Sequence, residues 1–393
     1  MDHGPAPHAA DATGAVPGPL EVRLDGYADM HVHLRQGPVT PDLVAAHLSS
    51  RCDVILAMPN TSPPLSRVLA AEETDAAWSV EGYRRRLMES GAGSFRSLTV
   101  PLYLTPETTP ATIEAGARAG LLTCAKYYPP HGTTGSAHGL PMRDLIRGDV
   151  LGAMADHGVR LLVHGERHAV EGEAWFGRRS NAEEAFYREE MILLRHKYPS
   201  LRIVCEHITT RVAAEFVAGA GPGVAATVTP MHLLYVIGDL VKGWLAHLKC
   251  MPIVKFEEDV EALRAAVTRP GQTAFFAGTD SAPHPQAAKH TDCNCASGCF
   301  TATVAPQLYA MAFEAAGVDL GSEAGLAAFR AFLCENGPDF HGVPRPEGSL
   351  RLVRVPSRIE PYQTAAGSIM PLPVGLVPDG PDRHAYLPWS IAA

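Results

Sequence analysis

The feature that most constrains this chain is a repeated switch between two kinds of segment. Short β-rich runs occur at Tyr27–Leu34, Val54–Met58, Ser97–Leu104, Leu121–Tyr127, Val159–His164, Arg202–His207, Gly223–Thr229 and Thr273–Thr279. Between them lie Ala-, Glu- and Arg-rich stretches such as Glu72–Ser90, Pro110–Ala119, Ala182–His196 and Asp259–Val267, and Thr301–Ala315 and Glu323–Glu335 read as closing helices. A strand that returns through a helix to a second strand of the same direction builds a parallel sheet. Eight such units predict an α/β fold, a (β/α)8 TIM barrel. An open doubly wound sheet shows the same alternation, so the chemistry has to arbitrate.

The 393 residues would allow two or three domains by length alone, but barrels of this size run as one, and a single domain is expected over residues 21–393. Residues 1–20 are rich in Ala, Gly, Pro and His and lack the basic start and apolar segment of a secretory signal, so they read as a disordered extension. The Pro-rich tail from Gly342 onward reads as irregular. A net charge of −9 with no long Lys/Arg run argues against a nucleic-acid or anionic-membrane partner. No stretch approaches the roughly 18 uncharged apolar residues that a membrane helix needs. The eight cysteines are scattered through a large chain, which fits reduced thiols and a cytoplasmic location.

The polar residues that stand out sit at the C-terminal ends of the β-rich runs, the face where a TIM barrel builds its site. His31 and His33 fall in the first run, Asn60 follows the second, and Lys126 lies in the fourth. His164 ends the fifth, His207 the sixth, and Asp280 follows the eighth. His31 and His33 are two residues apart on a strand, so both imidazoles face one side. A rigid pair of this kind suits zinc or a similar divalent ion. Each histidine taken singly reads better as a satisfied core or surface residue than as a ligand. Four at one rim are hard to explain without a metal, because crowded imidazoles repel when protonated.

Asp280 lies in Gly278-Thr279-Asp280-Ser281-Ala282-Pro283-His284, where a carboxylate could ligate a metal and move a proton or could simply cap a helix. Lys126, in Cys124-Ala125-Lys126-Tyr127-Tyr128, sits inside an apolar strand where an unpaired ammonium is costly. Burial favours the neutral amine, which can react with carbon dioxide to give a carbamate whose two oxygens would bridge two cations. A salt bridge with Asp280 is the simpler alternative, and spacing does not separate the two. Cys293-Asn294-Cys295-Ala296-Ser297-Gly298-Cys299 does not have the spacing of a structural zinc site.

These motifs resemble the dihydroorotases of the amidohydrolase superfamily. Asp29-Met30-His31-Val32-His33-Leu34-Arg35 resembles the opening signature of that family. Met58-Pro59-Asn60-Thr61, Ala125-Lys126-Tyr127-Tyr128-Pro129, Val163-His164-Gly165-Glu166 and Glu206-His207-Ile208-Thr209 resemble its later blocks, and Gly278–His284 is the most specific. The blocks keep family order from about residue 25 to residue 340 and match the shorter, single-function bacterial class most closely.

The resemblance implies two Zn2+ or similar divalent ions. His31 and His33 would hold one, His164 and His207 the other, and a carboxylated Lys126 would bridge them. Asp280 would ligate the first ion and carry the proton. The resemblance also implies substrate contacts at Arg35, Asn60 and His284, at Thr133 and Thr134 in a mobile Gly- and hydroxyl-rich loop, and through the backbone at Met251 and Ala296. A guanidinium gripping a carboxylate through two hydrogen bonds fits Arg35 independently. The cysteine loop here carries one residue more than the family's between its last two cysteines, which leaves the Ala296 contact open. The implied reaction is the reversible closure of N-carbamoyl-L-aspartate to L-dihydroorotate, a step of pyrimidine synthesis, on a small substrate bearing an α-carboxylate. The alternative is a hydantoinase- or allantoinase-like cyclic-amide hydrolase. A homodimer is implied by analogy alone.

Overall fold

The computed structural model describes residues 19–242, 244–291, 295–372 and 386–392. Apart from its last two residues, the expected N-terminal extension lies outside them. A short strand, β1 (Glu21–Leu24), precedes the strands that form the core: β2 (Tyr27–Val32), β3 (Cys52–Ala57), β4 (Ser97–Thr99), β5 (Leu102–Tyr103), β6 (Cys124–Tyr127), β7 (Arg160–His164), β8 (Ile203–Glu206), β9 (Val224–Val228) and β10 (Phe275–Ala277). Every one of the eight β-rich runs holds a strand. The third is divided into β4 and β5 around Pro101, which has no N–H for a ladder.

All pairings in this set are parallel: β2-β3-β4 in one sheet and β5 through β10 in consecutive order in another. The ring closes between the last strand and the first. Asp280 N–H donates to the His31 carbonyl at 2.8 Å and His33 N–H to the Ser281 carbonyl at 3.0 Å. Consecutive order with closure excludes the open doubly wound sheet, whose order reverses at a switch point.

Helices follow the strands, and several start where a side chain satisfies the first free N–H groups. Ser79 caps Val80–Glu89, Thr109 caps Pro110–Arg118, Asn181 caps Ala182–Lys197 and Thr210 caps Arg211–Gly219. The cap at Ser79 explains why the stretch expected to be helical from Glu72 becomes so only at Val80. Ser79 donates its hydroxyl to Glu73, and its own oxygen accepts from Gly82 N–H at 2.8 Å. Pro306 in the first turn likewise delays the helix expected from Thr301, which runs Ala305–Ala315. Among the described residues no helix is long and apolar enough to cross a membrane.

Inside the barrel, Val54, Leu56, Cys124, Leu162, Val204 and Phe276 form one apolar cluster, with Phe340 joining it from the C-terminal helix Asn336–His341. Two residues further along their strands, Lys126 and Glu206 occupy the next inward positions, followed by the site itself. β2 reaches this layer by an irregularity. Asp29 pairs with Ile55 and Val32 with Ala57, so β2 carries one residue more than its partner over that span. Met30 therefore belongs to the interior cluster while Val32 belongs to the outer one, and His31 and His33 turn inward.

The expectation of an irregular tail is corrected. β11 (Leu350–Val353), β12 (Ser357–Arg358), β13 (Tyr362–Thr364), β14 (Gly367–Ile369), β15 (Tyr386–Leu387) and β16 (Ser390–Ala392) all lie in it. β11 pairs antiparallel with both β1 and β16, and the buried Val22, Leu24, Leu350, Leu352 and Trp389 join the main apolar cluster. The partner of β11 lies at the opposite end of the chain, so no local pattern announces the pairing.

Candidate active site

The four histidines form a contiguous row at the C-terminal end of the barrel. Ring centroids are 5.6 Å apart for His33 and His31, 4.9 Å for His31 and His207, and 4.7 Å for His207 and His164. Asp280 closes one end: its Oδ1 lies 2.9 Å from His33 Nε2 and 3.5 Å from His31 Nε2. Among the described residues, His31, His33 and Asp280 are the only group of three or more His, Cys, Asp or Glu side chains whose ligand atoms lie within 4.8 Å of one another. All three are buried.

The hydrogen bonds around this group fix which atoms converge. His31 Nδ1–H donates to Glu206 Oε2 at 2.7 Å, and His33 Nδ1–H donates to Asn60 Oδ1 at 2.8 Å. Both rings therefore present a bare Nε2 toward Asp280. Burial pushes the pKa of both histidines down, His31 well below its usual value, so neither supplies a second proton. Two lone pairs and a carboxylate oxygen thus meet with no donor among them. A divalent cation is what this donor set fits.

Beside it the second pair is arranged differently. His164 Nε2 lies 3.0 Å from Glu166 Oε2, which leaves Nδ1 for another partner, and His207 Nδ1 is buried without any hydrogen-bond partner. His207 and Asp280 hold left-handed backbone, with φ of 39° and 48°. Non-glycine residues pay for that conformation, and it recurs at functional sites. Lys126 is fully buried, its Nζ has no hydrogen-bond partner, and it lies 5.1 Å from the centre of the Tyr128 ring. Burial lowers its pKa to about 8 against the opposing pull of Glu206 and Asp280. The salt bridge to Asp280 does not form among the described residues, and the helix Gln286–Lys289 after Asp280 is preceded by Pro285, so Asp280 is not its cap.

A small pocket adjoins Asp280 and is lined by His33, Arg35, Asn60, Thr133, Thr134, Met251, Ser297 and Gly298 among others. Arg35 Nη2 approaches the Pro283 carbonyl at 3.3 Å and His284 Nε2 at 3.2 Å; the same His284 nitrogen is 2.9 Å from the Ser297 carbonyl. Burial and the Arg35 charge push the His284 pKa down to about 3, so its ring is neutral and Nε2 can serve only one of those two neighbours at a time. The loop bearing Thr133 and Thr134 is closed on the pocket. Asn60 Nδ2 donates to the Thr134 carbonyl at 2.9 Å, and the Thr134 hydroxyl reaches the Ser297 carbonyl at 3.4 Å. Gly135 has φ of 73°, and a Cβ there would stand 3.1 Å from the Asn60 carbonyl, so only glycine lets the loop seat this closely.

Ala296 stands apart from the other expected contacts. Its N–H is spent on the Ala288 carbonyl and its carbonyl on Lys289 Nζ, and the pocket is lined by the next two residues instead. Cys293 and Asn294 of the Ala296 loop lie outside the described residues. Sequence reasoning missed Glu206, Glu166 and Thr227. The first was visible as an acid two residues beyond Val204 on an otherwise apolar inward face.

A curated dihydroorotase from Halorhodospira halophila is 39% identical to this chain over 350 residues, which cover 88% of this chain and 94% of that protein. The chain belongs to the dihydroorotase family. No protein-family model matches it. The structure of a dihydroorotase from Saccharomyces cerevisiae in complex with 5-fluoroorotic acid superposes with a TM-score of 0.79 at 25% identity, covering 94% of this chain and 98% of that one. L-hydantoinase from Arthrobacter aurescens shares the fold at a TM-score of 0.68 and 15% identity, over 94% of this chain and 82% of that chain. Dihydroorotases are metal-dependent, and among the described residues His31, His33 and Asp280 form a group that could hold an ion.

Proposed function

We propose that this dihydroorotase-family chain catalyses the reversible cyclisation of N-carbamoyl-L-aspartate to L-dihydroorotate in de novo pyrimidine synthesis. His31, His33 and Asp280 would hold one Zn2+ or similar ion, His164 and His207 a second, and a carboxylated Lys126 would bridge them. The observation that carries the reading is the juxtaposition of Arg35 and Asn60 with the convergent lone pairs of His31, His33 and Asp280. A substrate carboxylate held by Arg35 would bring a ring amide beside Asp280. The yeast relative is bound to 5-fluoroorotic acid, a pyrimidine with one carboxylate, which fits the same pocket chemistry. A cytoplasmic location and a homodimer come with the reading by analogy with the family.

Bound cations would polarise the amide carbonyl and lower the pKa of an adjacent water. The chain's own part is positioning and proton transfer. His33 and His31 both approach Oδ1 of Asp280, which leaves Oδ2 for a proton. In the hydrolytic direction Asp280 accepts the proton of the attacking water as the new C–O bond forms, then gives it to the ring nitrogen as the C–N bond breaks. In the synthetic direction Asp280 starts protonated and the steps reverse. Arg35 and Asn60 hold the carboxylate, and the closed Thr133–Thr134 loop excludes bulk water.

The decisive assay offers L-dihydroorotate and unsubstituted hydantoin side by side. Turnover of the first with little or none of the second is expected, because hydantoin has no carboxylate for Arg35. Preference for hydantoin would replace this reading with a hydantoinase-like one. Removing the guanidinium by Arg35→Ala should raise KM for dihydroorotate about 10- to 100-fold, the loss of charge-assisted hydrogen bonds, while metal content stays unchanged. An unaltered KM would show that the carboxylate binds elsewhere.

A further inference from the structure

We infer that Glu206 and Thr227 act as one positioning unit that sets the ligand atoms of His31 and His207 together. Glu206 Oε2 accepts from His31 Nδ1 at 2.7 Å and from the Thr227 hydroxyl at 2.6 Å. The same Thr227 oxygen accepts the His207 N–H at 2.6 Å. All four residues are buried, and Glu206 and Thr227 lie on the neighbouring strands β8 and β9. The inference rests on the reading of His31 and His207 as metal ligands.

A neutral imidazole carries one N–H, so the bond to Glu206 places it on Nδ1 and leaves Nε2 bare. Nε2 is the nitrogen that faces Asp280. Without an acceptor at Glu206, Nδ1–H would be an unsatisfied buried donor, and the ring would gain by moving its proton to Nε2 and donating to Asp280. That tautomer has no lone pair toward the cation. At the other end, His207 sits in left-handed backbone with φ of 39°, and its N–H needs an acceptor off the strand ladder. Thr227 supplies it with its hydroxyl oxygen, while its own proton goes to Glu206 and fixes the rotor. A single carboxylate thus orients a ring assigned to one cation and, through a hydroxyl, anchors the backbone of a residue assigned to the other.

The test measures Zn2+ affinity by chelator competition on the full chain, together with the visible spectrum of the Co2+-substituted protein. Glu206→Gln keeps an acceptor oxygen and should hold metal within about threefold of the wild type with an unchanged spectrum. Glu206→Leu removes the acceptor and should weaken affinity about 10- to 100-fold with an altered spectrum, the range expected when a carboxylate behind a metal-bound histidine is lost. Thr227→Val, close to the same shape, should weaken binding as well. Wild-type affinity and spectrum in Glu206→Leu would overturn the inference, as would a Glu206→Gln protein as impaired as Glu206→Leu. If Glu206→Leu does not fold, wild-type metal affinity in Thr227→Val overturns it. His31→Ala separates the two levels: if it keeps full metal affinity the ligand reading itself fails, whereas if it loses metal and Glu206→Leu does not, only the positioning role falls.

Discussion

Asp280→Asn is expected to lower both kcat and kcat/KM for dihydroorotate by about 100- to 10,000-fold, the range spanned by a lost general acid–base group, while metal content measured at saturating cation stays near that of the wild type. The amide has almost the same shape as the carboxylate and keeps one oxygen that can face a cation. It cannot take up a proton from water or return one to the ring nitrogen. Because the proposed proton transfer serves both halves of the reaction, the synthetic direction should fall by a similar factor. The outcome also discriminates between the two roles proposed for Asp280. A fall in turnover with metal in place isolates the proton transfer, whereas a fall that follows metal loss and recovers on adding cation assigns the residue to binding alone. Near-wild-type turnover would remove Asp280 from the chemistry altogether.

Much of this arrangement was legible before any coordinates. Each of the eight apolar runs holds a core strand, the third holding two, because a strand buried on both faces must be apolar throughout and short. The inward pairing of His31 and His33 also follows from a two-residue spacing. What was not legible depends on contacts between distant segments. The extra residue in β2 that turns the histidines inward leaves no mark in Asp29-Met30-His31-Val32, since Met30 and Val32 are both apolar whichever way they face. The sheet joining β1 to β11 and β16 unites opposite ends of the chain through strands of three or four residues. Ala296 illustrates a finer limit: the pocket is lined by Ser297 and Gly298, and the motif alone does not say which residue of the loop reaches it. Glu206 stands in a recognisable motif, but only the structure brings its carboxylate against His31.

The strongest demand the site makes is on Lys126. Holding an unpaired ammonium in a dry barrel costs several kcal/mol, and no acidic partner approaches within bonding distance to offset it. With its pKa lowered to about 8, roughly a tenth of the amine is neutral at pH 7, against under about a thousandth for an ordinary lysine. Neutral amine is the form that attacks carbon dioxide: a new N–C bond forms, one proton leaves the nitrogen, and a carbamate anion results. Such a carbamate would convert the orphaned cation into an acceptor with two oxygens, in the neighbourhood of His31 and His207. If the proposed carbamate bridges two cations, Lys126→Ala should lose tight metal binding, from two ions per chain to one at most, and essentially all turnover with it, while the barrel stays folded because the buried cost is removed along with the stem. A second consequence separates the carbamate from a plain amine ligand. Metal-stripped wild-type protein should regain metal and activity slowly in buffer freed of carbon dioxide and faster when bicarbonate is added, whereas the Lys126→Ala protein should not respond to bicarbonate. If the alanine variant still binds two ions tightly, or if the wild type reloads equally fast without bicarbonate, the amine is not modified, and the buried lysine must be stabilised by some other means.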